Sequence, residues 1–361
     1  MLSAQVIQTS IDDLKNITKT ELVVVDDKGT VIASNARDIQ IDPKRILDFV
    51  TSPAASQAVS GLLYLKVYDE SEVIYILVCK DKNDDYTFAK IAVSQIQNLN
   101  VAYKERLDRN NFFQNLILDN LLLVDIYNRA KKLRIEVETP RVVFLVEASS
   151  DKEHEIREIL RSLFSVQAGD FVTSVDERNV ILIKQLEPKS DNEHIDSIAR
   201  TISDMINTEA MTSVMVSYGT IVRELKDVSK SYKEAKMAHD VGKIFYAGST
   251  VIAYSALGIG RLIYQLPVNL CRMFMEEIFG DKMEDLLDEE TLTTVNMFLD
   301  NDLNVSETSR KLFIHRNTLL YRLEKLQKST GLDIRVFEDA LTLKIALMVV
   351  SYMKYLESME Y

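Results

Sequence analysis

Apolar and polar positions alternate with two different periods along this chain, and the changes of period mark out its elements. Residues 3–19 put Ile7, Ile11 and Leu14 on one face of a helix. ELVVVDDKGTVIASN follows, two β-rich runs around Asp26-Asp27-Lys28-Gly29, which is hairpin composition. Asp42-Pro43 offers an N-cap and then a proline suited to a first helical turn. Residues 62–67 and 72–79 read as a second strand pair. From Tyr86 the spacing of Ala92, Ile96, Leu99, Tyr103 and Leu107 predicts a long helix with one apolar seam, suited to a packing or dimer contact. Helical character is expected to continue over residues 112–134.

Thr139-Pro140 breaks that pattern, and the period returns to that of strands. RVVFLVEA reads as a buried strand, residues 152–164 as a helix, and DFVTSVDERNVILIKQL as a hairpin turning at 176–179. Helix 192–207, strand 213–218, helix 229–241 and strand 250–254 complete a mixed sheet covered by helices. Residues 256–288 read as a helical linker with Pro267 marking a start, and 289–299 as one more helix. Residues 337–355 form a long apolar helix in which Ala340, Leu341, Ile345, Met348 and Tyr352 would brace what precedes them or pair two copies.

The most informative pattern is SETSRKLFIHRNTLLYRLEKLQKSTG, residues 306–331. It predicts two short helices joined by a tight turn, with Ser309 and Leu312 pointing inward and Ile314 plugging the turn. Leu319, Leu323 and Leu326 give the second helix one buried stripe. Asn317, Tyr321, Lys325 and Lys328 lie opposite, with Arg316 and Arg322 on the flanks. Such a face suits the DNA major groove. Phe313 stands where many such turns carry glycine, and is expected to plug the core.

Charge sharpens this picture. The chain of 361 residues carries a net charge of −12, the wrong sign for coating nucleic acid indiscriminately. Yet Arg310, Lys311, Arg316, Arg322, Lys325 and Lys328 face only Glu307 and Glu324 within residues 306–328. Positive charge is thus concentrated where DNA would lie. An apolar fraction of 47% with modest glycine and proline argues for an ordered chain of two or three domains. Cys79 and Cys271 sit among apolar neighbours and read as buried free thiols. Neither a basic leader nor an apolar run of spanning length is evident, so a soluble cytoplasmic protein is expected, without a membrane partner.

The residues make no positive case for an enzyme. Gly258-Ile259-Gly260-Arg261 begins a dinucleotide fingerprint and stops, which reads as a helix lead-in. His154, His194, His239 and His315 are dispersed, so no metal ligands are expected. No serine has a nucleophile-elbow frame. Asp26-Asp27, Asp84-Asp85 and Glu289-Glu290 fall at turns and helix starts, where solvation and capping account for them. No catalytic residue and no cofactor is expected.

SRKLFIHRNTLLYRLEKLQKSTGLDI, followed by Phe337 to Ala346 in an F-x-D-x-L-x-L-x-x-A frame, resembles the C-terminal helix-turn-helix of sugar diacid utilisation regulators. These form a branch of the group that includes the purine catabolism regulator. LRIEVETPRVVFLVEA and SKSYKEAKMAHDVGK resemble the start and the S-Y-x-x-A helix of that family's middle domain. The resemblance covers about residues 115–361 and implies a middle domain similar in fold to diguanylate cyclases. Their signature hairpin would fall at residues 174–180, SVDERNV, which lacks both nucleotide-admitting glycines; a degenerate, non-catalytic scaffold is implied. VVVDDKGTVIASN resembles the family's first sensor hairpin. ARDIQIDPKRILDFV and EVIYILVCKDK depart from the segments expected after it.

The expected architecture is multidomain. An α/β sensor (1–85) and connecting helices (86–135) precede a cyclase-like α/β domain (136–256), a helical linker (257–288) and an all-α helix-turn-helix domain (289–361). The expected function is a ligand-responsive transcriptional regulator, by resemblance an activator of sugar diacid or related carboxylate catabolic genes. Its expected partners are a double-stranded DNA operator, a small acidic metabolite and further copies of itself. Arg316 and Asn317 suit base edges, Thr318 and Tyr321 suit bases or phosphate, and Arg310, Arg322 and Lys325 suit phosphate; His315 falls at the N-cap of the second helix, where it either meets DNA or serves only as a cap. Ser34, Asn35, Arg37 and Lys66 are candidates for an anionic effector, which needs donors and positive charge. The alternatives are a signalling enzyme or nucleotide-binding protein acting through the cyclase-like middle domain, and a DNA-independent partner-binding protein.

Overall fold

Ser3 starts the first element: its hydroxyl accepts from the Val6 N–H at the head of α1 (Ala4–Thr18), and left-handed Lys19 closes the helix. The computed structural model describes residues 2–81, 85–148, 151–164, 169–280 and 288–359. The chain divides into two units, residues 1–113 and 114–361.

In the first unit α1 is followed by β1 (Leu22–Val25), β2 (Val31–Ser34), α2 (Pro43–Thr51), β3 (Ser56–Val59), β4 (Leu62–Asp69), β5 (Glu72–Lys80) and the start of α3 (Asp85–Ile117). The strands form one antiparallel sheet in the order β2-β1-β5-β4-β3. Asp26 closes the expected hairpin by accepting from the N–H groups of Lys28 (3.0 Å) and Thr30 (2.7 Å). Strand alternation then sorts the side chains onto two faces. Leu22, Val24, Leu65, Leu77 and Cys79 pack against α1 and against Ala89, Ala92 and Ile96 of α3. Val23, Val25, Tyr64, Ile76 and Val78 pack against Ile46 and Phe49 of α2. Strand β3 has no counterpart in the hydrophobic pattern. It lies at the sheet edge, where main-chain pairing to β4 holds residues that are not buried.

The second unit contains α4 (Leu123–Lys132), β6 (Arg141–Glu147), α5 (Glu153–Leu163), β7 (Phe171–Ser174), β8 (Asn179–Gln185), α6 (Asn192–Glu209), β9 (Val216–Tyr218), α7 (Val228–Phe245) and β10 (Val251–Ala253). Its sheet runs β10-β9-β6-β8-β7, with only the β10–β9 pair parallel. Helices α5 and α6 cover one face through Ile156, Leu160, Ile195 and Ile202. On the other face α7 approaches so closely that a Cβ on Gly219 would stand 2.1 Å from the Ser231 carbonyl oxygen. The Ser231 hydroxyl donates to the Thr220 carbonyl (2.9 Å) and accepts from the Val143 N–H (3.1 Å). This is what the serine of the S-Y-x-x-A helix does here.

The continuous helix expected over residues 112–134 is interrupted. Asp119 adopts φ 62°, the Asn120 N–H turns back to the Asn115 carbonyl at 2.9 Å, and a new helix starts at Leu123. An Asp-Asn pair tolerates the left-handed conformation, and here it stops the helix despite apolar neighbours.

Beyond the sheet come α8 (Gly260–Tyr264), α9 (Val268–Phe279), α10 (Glu289–Asp300), α11 (Val305–Lys311), α12 (Arg316–Thr330) and α13 (Phe337–Met359). Part of the expected linker, residues 281–287, lies outside the described residues, as does Asp84 of the pair Asp84-Asp85. Along α13, Ala340, Leu343 and Ala346 share a core with Leu319, Leu323 and Leu326 of α12. Val349, Tyr352 and Met353 pack on Ile263 and Cys271. Leu341, expected inside, is 39% exposed, because Leu343 carries the buried stripe instead. Both cysteines are free and buried, and burial pushes the Cys79 thiol up to about 12. Among the described residues no helix is long and apolar enough to cross a membrane.

Candidate nucleic-acid interface

Three helices build the interface. Asn304 caps α11 by accepting from the Glu307 N–H at 3.1 Å. Thr308 and Ser309 bury against the neighbouring helices. The helix ends in a paired motif: the Phe313 N–H reaches the Arg310 carbonyl (3.2 Å) and the Ile314 N–H reaches the Ser309 carbonyl (3.1 Å). Phe313 occupies the position of that motif that favours glycine, at φ 55°. A left-handed backbone costs a non-glycine residue roughly 1–2 kcal/mol.

The expectation that Phe313 plugs the core does not hold. Leu312 and Ile314 on either side are the residues that pack inward. The left-handed backbone between them sends the Phe313 ring outward, where it is 95% exposed.

His315 follows as the N-cap of α12, with Nδ1 accepting from the Asn317 N–H at 3.2 Å. In the neutral ring this leaves the proton on Nε2, as a donor. Leu319, Leu323 and Leu326 are buried, while Arg316, Asn317, Thr318, Tyr321 and Lys325 are exposed. Gly331, at φ 77°, ends the helix. Six of the eight residues singled out from the sequence therefore lie on the accessible surface of one helix and its cap, five of them in its first two turns.

The other two are engaged within the protein. Arg310 is exposed but holds Glu307 through two contacts of 2.6 and 2.7 Å, and this pairing keeps the Glu307 carboxyl below its ordinary range. Arg322 is half-buried and turned toward α10, where it donates to Thr294 Oγ1 at 3.0 Å and pairs with Glu290. A cavity of about 200 Å³ opens beside this pair, lined among others by Thr318, Tyr321 and Lys325. The sequence marks Glu290 only as part of an acidic helix start. Nothing in sequence spacing connects it to a residue thirty-two positions later.

The effector candidates fare differently. Asn35 is committed inside the first unit: its side chain accepts from the Leu22 N–H (2.8 Å) and donates to the Ile11 carbonyl (2.7 Å). Lys66 is buried, donating to the Val50 (3.1 Å) and Ser52 (2.5 Å) carbonyls at the end of α2, with its ammonium 5.0 Å from the Phe49 ring centre. Sequence cannot show that a lysine meets helix-end carbonyls, which attract cations as an anion does. Ser34 and Arg37 are exposed. Lys66 lies on β4, separated from β2 by two strands, so the four do not form one cluster.

In the cyclase-like sheet the turn at 176–179 is filled by its own bonds. Asp176 accepts from the N–H groups of Arg178 (2.9 Å) and Asn179 (2.7 Å) and from the Asn179 amide (2.8 Å). Opposite Asn179 in the sheet, Glu147 at the end of β6 pairs with Lys243, and the His239 Nε2 stands 3.4 Å from its carboxyl. Among the described residues no group of three or more His, Cys, Asp or Glu side chains is arranged to hold a metal ion.

Residues 291–349 match the PucR C-terminal helix-turn-helix domain, and residues 120–241 match a GGDEF-like domain. The purine catabolism regulatory protein of Bacillus subtilis is 24% identical over 261 residues, covering 67% of this chain and 48% of the relative. This chain thus spans about half of that protein's length. The carbohydrate diacid regulator of Escherichia coli is 21% identical over 385 residues, covering 96% of this chain and 98% of the relative. The proline-responsive transcriptional activator PutR of Bacillus subtilis is 26% identical over 227 residues, 58% of this chain and 53% of that protein. The named relatives are transcriptional regulators or activators.

Proposed function

We propose that this chain, which belongs to the regulator family of the carbohydrate diacid regulator and the purine catabolism regulator, is an effector-responsive DNA-binding transcriptional regulator. The observation that carries the reading is the accessible start of α12. There Arg316, Asn317, Thr318 and Tyr321 are all exposed, above a stripe of buried leucines. Arginine and asparagine are the side chains that bond guanine and adenine edges bidentately.

In this reading the chain is an activator of genes for sugar diacid or related carboxylate catabolism. Residues 1–85 bind an acidic metabolite, the helix over 86–120 passes the signal on, and the cyclase-like region is a non-catalytic scaffold. Two copies present two recognition helices to half-sites about 34 Å apart per helical turn. With Asn35 and Lys66 committed to internal bonds, Ser34 and Arg37 remain as candidates to meet the effector.

The test is duplex binding by the full chain, followed over a range of salt concentrations. Affinity should fall steeply as salt rises, as counterion release requires. Binding that ignores salt, or no duplex binding at all, would remove the reading. A six-carbon sugar diacid should raise the melting temperature, and no shift from any acidic metabolite would remove the effector assignment.

A further inference from the structure

We infer that Phe313 determines part of the DNA sequence preference, its ring packing on the 5-methyl group of a thymine beside the base pairs met by the first turn of α12. This rests on the DNA-binding reading and deepens it. Three observations carry it.

The first is that the fold does not need this ring. At 95% exposure almost nothing in the protein covers it, and Leu312 and Ile314 already fill the turn. The second is that its backbone conformation is one in which glycine is less strained, so the phenyl group opposes both local geometry and solvation. A side chain that the fold would do better without is retained for something outside the fold.

The third is position. Phe313 lies two residues before the His315 cap and three before Arg316, at the end of the helix whose exposed side chains suit base edges. Lys311 and Arg316 flank it in sequence, both exposed, while Arg310 beside them is paired with Glu307. A positive surround with a single ring at its centre fits a polyanion with one apolar feature better than an apolar protein groove. In the major groove that feature is the thymine methyl, with which phenylalanine makes apolar contact.

The experiment uses the full chain and a duplex selected by the wild-type protein from a randomised library. Each thymine of the selected duplex is replaced in turn by deoxyuridine, which removes only the methyl group. Binding is measured for wild type, Phe313→Gly and Phe313→Leu. Wild type should lose about fivefold or more at one thymine position per half-site, within the range of a single mismatched base pair. Phe313→Gly should bind the unmodified duplex weaker by a similar factor and be indifferent to deoxyuridine at that position. Phe313→Leu should keep part of the discrimination.

Thermal melting of Phe313→Gly should match or exceed wild type, which separates lost contact from lost folding. Unchanged affinity in Phe313→Gly, or the same deoxyuridine profile in both proteins, overturns the inference. So does a variant that binds DNA normally but fails to activate transcription, which would put the ring against a protein. If wild type selects no sequence and binds no duplex, the DNA-binding reading itself fails.

Discussion

Arg322 on α12 donates a hydrogen bond at 3.0 Å to the Thr294 hydroxyl on α10, and its second terminal nitrogen pairs with Glu290. The guanidinium therefore has a structural task before any DNA arrives. Its charge also offsets a carboxylate, which reduces what it offers to phosphate. Glu290→Gln should strengthen duplex binding and steepen its salt dependence, by up to about 0.9 in the logarithmic slope for one additional phosphate contact. Arg322→Ala should cost stability of roughly 1–3 kcal/mol as well as affinity, because Thr294 is buried and the removed bonds are charge-assisted. Salt-titrated binding together with chemical denaturation of both variants checks the pair. An unchanged slope in Glu290→Gln would mean that Arg322 stays away from the duplex.

Gly219 is where α7 and the second sheet come closest. Adding a methyl group there would drive it to 2.1 Å from the Ser231 carbonyl oxygen and 2.7 Å from its hydroxyl. Backbone cannot yield as a side-chain tip does, so Gly219→Ala should destabilise the second unit by about 1–3 kcal/mol. Ser231→Ala should lose a similar amount for a different reason, leaving the buried Val143 N–H without its acceptor. Denaturant midpoints read both, and a neutral Gly219→Ala would show that α7 sits further from the sheet.

Most regular elements were legible because they are signalled locally, and β3, held by its pairing to β4, was not. Asp26 closes a turn two and four residues ahead, and His315 caps a helix two residues ahead. The leucine stripe of α12 needs only its own spacing. Failures came where a distant partner or an unusual backbone decides. Lys66 looked like an anion's partner because the α2 carbonyls it meets cannot be seen from its neighbours in sequence. Arg322 reads as a phosphate contact because its partner Glu290 is on another helix. Asp119 and Phe313 each sit in apolar surroundings that read as continuous helix or core, and a left-handed backbone reverses the outcome at both.

Glu147 gives the fold a dependence on acid. The His239 imidazole beside it, and then Lys243, hold its carboxyl down to about 2 against the opposing effect of burial, from an ordinary value of 4.5. A carboxylate with a depressed folded value adds stability that is full above about 4.5 and vanishes as pH falls toward 2. Glu147→Gln should therefore be less stable than wild type near neutrality, with the gap closing across that window. Part of the group is open to solvent, so the gap will be smaller than the full shift implies. Denaturation at a series of pH values measures it; a gap that stays constant down to pH 2 would show that the charge on this carboxyl contributes nothing.

The row on α12 should separate into two kinds of contact. Arg316 and Asn317 are exposed at the first turn, where a recognition helix meets base edges. Arg316→Ala or Asn317→Ala should each cost about 1–3 kcal/mol on the selected duplex and relax the preference at one base pair. Lys325, exposed two turns further on, should act on phosphate alone. Lys325→Ala should weaken binding evenly on all sequences and lower the salt slope by about one. Repeating the duplex selection with each variant distinguishes these outcomes. If Arg316→Ala combined with Asn317→Ala selects the wild-type sequence, the bases are read by other residues, and α12 only rests against the backbone.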